Sequence, residues 1–127
     1  MSAKSRGISG ERDLIHKFWA EGWASLRVAG SGSSQYPSPD VLASNNVRKL
    51  AIEAKITTAT SKNFPKEEIE SLRFFAEKFG AEPWIAIRFY REPWKFYTLE
   101  DLHATPGGFS VRQEDKDKGL SFEELIA

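Results

Sequence analysis

The sequence predicts an α/β fold, a central mixed β-sheet flanked by helices, and three observations predict it. Residues 11–21 and 65–79 carry apolar side chains at helical spacing. Alternating or unbroken apolar runs of strand length lie between and after them. The resulting order, α, β, β, β, α, β, β, is that of two main helices packed on a mixed sheet. With 127 residues and 40% hydrophobic content, the chain is expected to form one domain over 1–127 with an independent core.

Each element has a local cause. Leu14, Ile15, Phe18 and Trp19 share one face of the first helix, and Gly22 stops it. Ala24, Leu26 and Val28 alternate with Ser25 and Arg27, the pattern of a half-buried strand. Residues 30–39 are too rich in Gly, Ser and Pro for regular structure and are read as a mobile loop. Asp40 to Ser44 and Lys49 to Ile56 read as two strands joined across Asn45 and Asn46, good turn residues. A polar stretch follows, and Pro65 then opens the second helix, where its missing N–H costs nothing. Ile69, Leu72, Phe75, Ala76 and Phe79 line one face of that helix, and Gly80 ends it. Trp84 to Tyr90 reads as a central strand and Trp94 to Thr98 as its neighbour. A short helical turn is expected after Thr98, and Phe109 to Arg112 as a last edge strand. Ser121 with Glu124 three residues on makes a capping box for a terminal helix.

Composition removes several classes of function. There is no cysteine, so disulfides and thiolate zinc sites are excluded. The first ten residues lack the apolar run of a signal peptide, and no stretch approaches membrane-spanning length. These features predict a soluble cytoplasmic protein without a membrane partner. Net charge is zero, but residues 1–78 carry 12 Lys/Arg against 9 Asp/Glu, and residues 79–127 carry 6 against 9. A basic face on the first two-thirds is therefore available, although this balance alone reads as ordinary surface charge.

The hairpin carries the chemistry. A four-residue loop from Asn45 to Arg48 pairs Ser44 with Lys49 and sets Asp40 opposite Glu53. A two-residue loop makes the same two residues diagonal neighbours. Either way both carboxylates share a face, with Cβ atoms roughly 5–8 Å apart. Lys55 falls on that face too, and Leu50, Ile52, Ala54 and Ile56 on the other. Facing carboxylates repel, and a divalent cation relieves the repulsion: magnesium takes one or two carboxylates together with water and phosphate oxygens. An adjacent ammonium can position or deprotonate an attacking water, or stabilise charge on the phosphate. A solvated polar face remains the competing account of Glu53 and Lys55 at this point. Glu11 lies beside the apolar stripe of the first helix, so it is read either as a charge favoured by the helix N-terminus or as a third carboxylate reaching Asp40 and Glu53.

These residues carry a specific resemblance. Pro39-Asp40, then Glu53-Ala54-Lys55, preceded by Gly10-Glu11-Arg12, is similar to the PD-(D/E)xK nuclease superfamily. Within it the chain most resembles the archaeal Holliday junction resolvases. The likeness covers Gly10 to Leu14, Arg27 to Gly32, the Pro39-Asp40 strand, Ile52 to Lys55, and a second helix ending Phe75 to Gly80; it is loose from about Pro93 onward. The resemblance implies a restriction-endonuclease-like nuclease core. It also implies a homodimer that binds a four-way DNA junction and cuts two strands symmetrically with magnesium; carboxylate ligands without Cys or a usable His lead to the expectation that manganese also supports cleavage. By the same resemblance Glu11, Asp40 and Glu53 are metal ligands or water-positioning groups, and Lys55 is the catalytic base or phosphate clamp. Arg12 and Arg27 match phosphate contacts, and Ser31 matches a loop serine of the active site.

Lys4, Arg6, Lys62 and Lys66 complete the expected DNA-binding face with Arg12 and Arg27. His16 and His103 are expected on the surface, too few for a histidine metal site. Phe75, Phe79 and the aromatic strand near Trp94 are expected to contribute to the dimer interface. Two other activities fit the same residues: cleavage of ordinary duplex DNA, or binding and dimerisation without catalysis.

Overall fold

The helical pattern around Leu14 and Phe18 meets no breaker on its N-terminal side except Gly7 and Gly10. In the computed structural model the first helix, α1, accordingly spans Ala3–Ala20, a longer reach than the stripe alone predicts. The structure describes residues 3–30 and 35–127, and residues 3–5 by their backbone only. Gly22, at φ 83°, turns the chain out of α1, and Trp23 N–H closes the end on Phe18 O at 3.0 Å. Because α1 starts early, Glu11 sits in its middle and has no N-terminal dipole to favour it.

Strands β1 (Ala24–Arg27), β2 (Val41–Ser44), β3 (Lys49–Thr57), β5 (Glu82–Phe89) and β6 (Lys95–Tyr97) form a five-stranded sheet in the order β1-β2-β3-β5-β6. Only the β3–β5 pair is parallel, running from Leu50 opposite Glu82 to Thr57 opposite Phe89. A parallel pair needs a long crossover, which here consists of strand β4 (Ser61–Pro65) and helix α2 (Lys66–Phe79). Helix α2 begins just after Pro65 and ends at Gly80, whose φ of 76° forms the left-handed cap.

The sheet is covered on both faces. Leu14 and Phe18 of α1 pack on Leu50, Ile52 and Ala54 of β3, joined by Phe122 and Leu125 of a terminal helix, α3 (Phe122–Ile126). Ile69, Leu72 and Ala76 of α2 pack on Ala51, Ile85 and Ile87 from the opposite side. Leu50, Ala51 and Ile52 are all fully buried, as expected of an interior strand with helices on both faces. The capping box at α3 is present in full, Ser121 and Glu124 each accepting from the other's backbone N–H.

Three expectations need correction. The polar stretch before α2 is strand β4, and it joins β7 (His103–Thr105) and β8 (Gly108–Arg112) in a second sheet ordered β4-β8-β7. The strand expected around Phe109 is therefore the middle of a small sheet rather than an edge. Its pairing of Ser61 with Arg112 joins residues far apart in the chain, which local composition cannot report. In β1 the faces are exchanged: Ser25 is buried and donates its hydroxyl to Ile15 O at 3.1 Å, while Leu26 is 54% exposed. Trp94 is only 4% exposed and donates Nε1–H to Asp13 Oδ2 at 3.1 Å, so it belongs to the core under α1.

Gly108 permits the second sheet to meet α2. A Cβ there would collide with Phe64 O and stand 2.8 Å from Lys66 N. Both obstacles are backbone and cannot rotate away. Gly108→Ala is therefore expected to destabilise the protein by about 2–4 kcal/mol, read by urea denaturation. A variant within about 0.5 kcal/mol of wild type would show that the close approach is not needed. Among the described residues, no helix is long and apolar enough to cross a membrane.

Candidate active site

The loop between β2 and β3 is the four-residue one. Asn46 adopts φ 80°, and Asn45 Oδ1 accepts from Val47 N at 3.0 Å and Arg48 N at 2.7 Å. The ladder runs from Ser44 opposite Lys49 to Val41 opposite Ile52, so the next step places Asp40 opposite Glu53. Asp40 stands where β2 leaves its partner. Its N–H donates to Ile52 O at 3.0 Å, and its Oδ2 accepts from the buried Ala54 N–H at 2.9 Å. The side chain thus replaces a missing strand at the end of the ladder, which anchors the carboxylate at only 8% exposure.

Glu53 and Lys55 stand opposite Ile85 and Ile87, and so on the α2 face of the sheet. The Glu53 carboxyl lines one cleft with Asp40 and with Glu68 of α2. Burial, then the charge of Asp40 and the closeness of the Glu68 carboxyl, push its pKa up to about 10, against an opposing pull from Lys55. Lys55 Nζ lies 3.3 Å from Glu68 Oε1. Burial works to lower the lysine pKa, but Glu68, Glu53 and Asp40 together outweigh it, so the ammonium is held charged. Asp40, Glu53, Lys55, Glu68 and the segment Gln35 to Ser38 line a cleft of about 520 Å³. The Ser38 hydroxyl is buried beside it without a hydrogen-bond partner among the described residues.

Glu11 reaches the cluster differently from the way its helix stripe suggests. Helix α1 covers the opposite face of the sheet, so Glu11 approaches around the end of β2 rather than along the Glu53 face. There its Oε1 lies 3.1 Å from Arg27 Nε. Burial and then Asp40 raise the Glu11 pKa, while Arg27 and Lys55 lower it. Glu11 therefore feels the Asp40 carboxylate electrostatically but does not line the cleft.

The donor set suits a hard divalent cation. It offers carboxylate oxygens and no sulfur or imidazole, and after burial the Asp40 charge is the main cause of the raised Glu53 pKa, which a cation between the two would offset. Among the described residues no three acidic or histidine side chains converge into a ready-made cage. The three-carboxylate set of Glu11, Asp40 and Glu53 expected from the sequence is therefore not assembled as one cage; magnesium can be held by one or two carboxylates with water and substrate oxygens completing its shell.

The other expected residues are spread around this centre. Arg12 and Arg6 are exposed on α1, and Lys4 lies in its first turns with its side chain outside the described residues. Arg27 is half-buried and committed to Glu11, so it serves the cluster as well as any phosphate. Lys62 lies on β4 and lines a second cleft of about 680 Å³ with Asn63, Phe109, Lys55 and Glu68. Lys66 is exposed, 3.7 Å from Glu70. Ser31 lies outside the described residues. His16 and His103 are both exposed. Sequence reading missed Glu68. Its only local signal is an acid in the first turn of a helix, which the dipole explains equally well.

A carboxylate pair and a lysine at the end of a mixed sheet, with a helix on each face, define a nuclease of the restriction-endonuclease-like class. The chain belongs to the archaeal Holliday junction resolvase (hjc) family, whose model matches residues 2–127. It is 38% identical to the crossover junction endodeoxyribonuclease Hjc of Archaeoglobus fulgidus, over 96% of this chain and 90% of that protein. It is 37% identical to the enzyme of that name from Methanocaldococcus jannaschii, over 95% of this chain and 86% of the other. The 1.6 Å structure of Archaeoglobus fulgidus Hjc, described as a Holliday junction resolvase, superposes with a TM-score of 0.88 at 36% identity, covering 93% of this chain and 96% of that one.

Proposed function

We propose that Asp40 and Glu53 hold a magnesium ion through which this enzyme cuts DNA, with Glu11 supporting the site from its rim. The protein is an endodeoxyribonuclease that resolves four-way DNA junctions. The observation that carries the metal reading is the Asp40–Glu53 pair itself, two carboxyls at facing positions of the hairpin that line a cleft beside a charged lysine. When bound, the ion lowers the pKa of a coordinated water and neutralises charge on the phosphate. Manganese, with the same preference for oxygen ligands, is expected to substitute. The Lys55 ammonium faces the same cleft and is suited to clamp a phosphate oxygen; held charged, it fits that role better than a base. Arg27 neutralises Glu11 and limits the negative charge that DNA must approach. Arg12, Arg6, Lys4, Lys62 and Lys66 supply phosphate contacts, which position the junction without reading sequence. An enzyme acting on DNA is assigned to the cytoplasm.

The active form is proposed to be a homodimer, because two symmetric cuts need two clusters and one chain carries one. Trp19, Leu26 and Phe79 are 58%, 54% and 48% exposed, and with Leu42 they line an apolar groove of about 330 Å³ between α1, the β1–β2 edge and the end of α2. An isologous contact across this groove would bury all three. Trp94, expected in the sheet core or near this interface, lies in the core. Phe79→Glu is expected to shift the protein to monomer in analytical ultracentrifugation. An unchanged dimer would move the interface elsewhere.

The decisive test offers duplex, flap and four-way junction DNA to the wild-type protein with magnesium, with manganese and with EDTA. Paired nicks confined to the junction, present with either metal and absent in EDTA, are expected. Full activity in EDTA would remove the metal from the mechanism. Equal cleavage of plain duplex would favour a general nuclease.

A further inference from the structure

Period-two alternation sets Glu53 and Lys55 on one face of β3, but nothing in that strand determines where a four-carbon ammonium arm points. The structure supplies an external reference. Glu68 Oε1 lies 3.3 Å from Lys55 Nζ, and Glu68 lines the same cleft as Glu53. Glu68 also stands in the wall shared by the catalytic cleft and the second cleft that runs toward Lys62 and Phe109. Its own position is set by packing, since Ile69 and Leu72 beside it in α2 are 2% and 5% exposed. A carboxylate on a packed helix therefore spans the two strand residues that carry the chemistry.

We propose that Glu68 is a positioning residue of the nuclease site, holding the Lys55 ammonium beside Glu53 and aimed into the cleft. This rests on the assignment of Lys55 and Glu53 given above. Serving the helix dipole does not account for the placement, because Glu67 occupies the same turn, remains exposed and meets that need without touching the site. Acting as a third metal ligand is a distinct role with a distinct signature. A positioner works through Lys55 and leaves metal affinity intact, whereas a ligand works through the ion.

The test compares wild type, E68A and the isosteric E68Q, which keeps an acceptor for Lys55. Single-turnover junction cleavage in magnesium should fall about 10–100-fold in E68A, the scale of a reacting group misplaced by an ångström. E68Q should fall between E68A and wild type, and junction Kd in calcium should change less than twofold in both. In a K55A background, E68A should cause no further loss, since the two residues act as a unit. Magnesium should still raise the melting temperature of E68A and E68Q as it raises that of wild type. Loss of that magnesium shift would make Glu68 a metal ligand, and cleavage by E68A at or above the wild-type rate would remove it from the site; either overturns the proposal. A wild-type protein that fails to cut junctions with magnesium contradicts instead the assignment on which the proposal rests.

Discussion

Asp40→Asn is expected to reduce junction cleavage by at least about 10³-fold, the scale seen when a group essential to a catalytic unit is removed. The substitution should leave the metal-free fold as stable as wild type or more so. Two effects decide the sign. Burial and then the Asp40 charge force Glu53 to hold a proton, so removing that charge lowers the cost of keeping Glu53 protonated at neutral pH. The amide oxygen can still accept from Ala54 N–H, the buried bond that Asp40 makes at the end of β2. Asp40→Ala separates the two contributions. It removes the same charge but leaves the Ala54 N–H without a partner, so it should cost about 1–3 kcal/mol relative to Asp40→Asn. Urea denaturation with EDTA measures both. An Asp40→Asn protein that is clearly destabilised yet still cuts junctions would refute the assignment of Asp40 to the active site.

Glu53→Gln is expected to change how stability depends on pH. Because the folded-state pKa of Glu53 is raised from 4.5 to about 10, the folded protein holds a proton that the unfolded chain releases across that window. Its contribution to stability is complete below the unfolded value and is lost as pH rises toward the folded one. The metal-free wild type should therefore lose stability with rising pH, by up to about 1.4 kcal/mol per pH unit from this group. Glu53→Gln cannot ionise and lacks that slope. Between pH 6 and pH 8 the variant should gain on wild type by roughly 2–3 kcal/mol. Parallel stability profiles for the two proteins would show that Glu53 ionises freely in the folded state. Magnesium should bind the ionised pair, so its binding to wild type should release about one proton, measurable by calorimetry in buffers of different ionisation enthalpy.

Much of the site is written locally. Asn45 to Arg48 choose a four-residue loop through the Asn45 side chain and the left-handed Asn46, and loop length then sets the register from Ser44–Lys49 to the Asp40–Glu53 position. Alternation does the rest, putting Lys55 on the Glu53 face and Leu50, Ile52 and Ala54 in the core. The end of α2 is as local, with Ile69, Leu72 and Ala76 at helical spacing and Gly80 supplying the left-handed cap. Such features depend on neighbours a few residues away, and a turn or a period carries its own signal.

The remainder depends on partners that the chain reaches only by folding. Strand β4 looks polar because a single buried side chain, Phe64, faces the core, and its pairing residues on β8 arrive from the far end of the chain. The exchange of faces in β1 follows from α1 lying across it, where the Ser25 hydroxyl finds Ile15 O and Leu26 is turned outward. An alternating strand shows that its faces differ without showing which one a helix will cover. Glu11 illustrates the same division. Its position on a helix is local, but its approach around the end of β2, and its partnership with Arg27, follow from which layer α1 occupies. The sequence by itself determined the class of fold and the carboxylate pair with its lysine, since turns and periodicities encode these at short range. Only the tertiary structure decided that Glu68 joins them, because α2 brings it there by burying Ile69 and Leu72 against a sheet face assembled from distant strands.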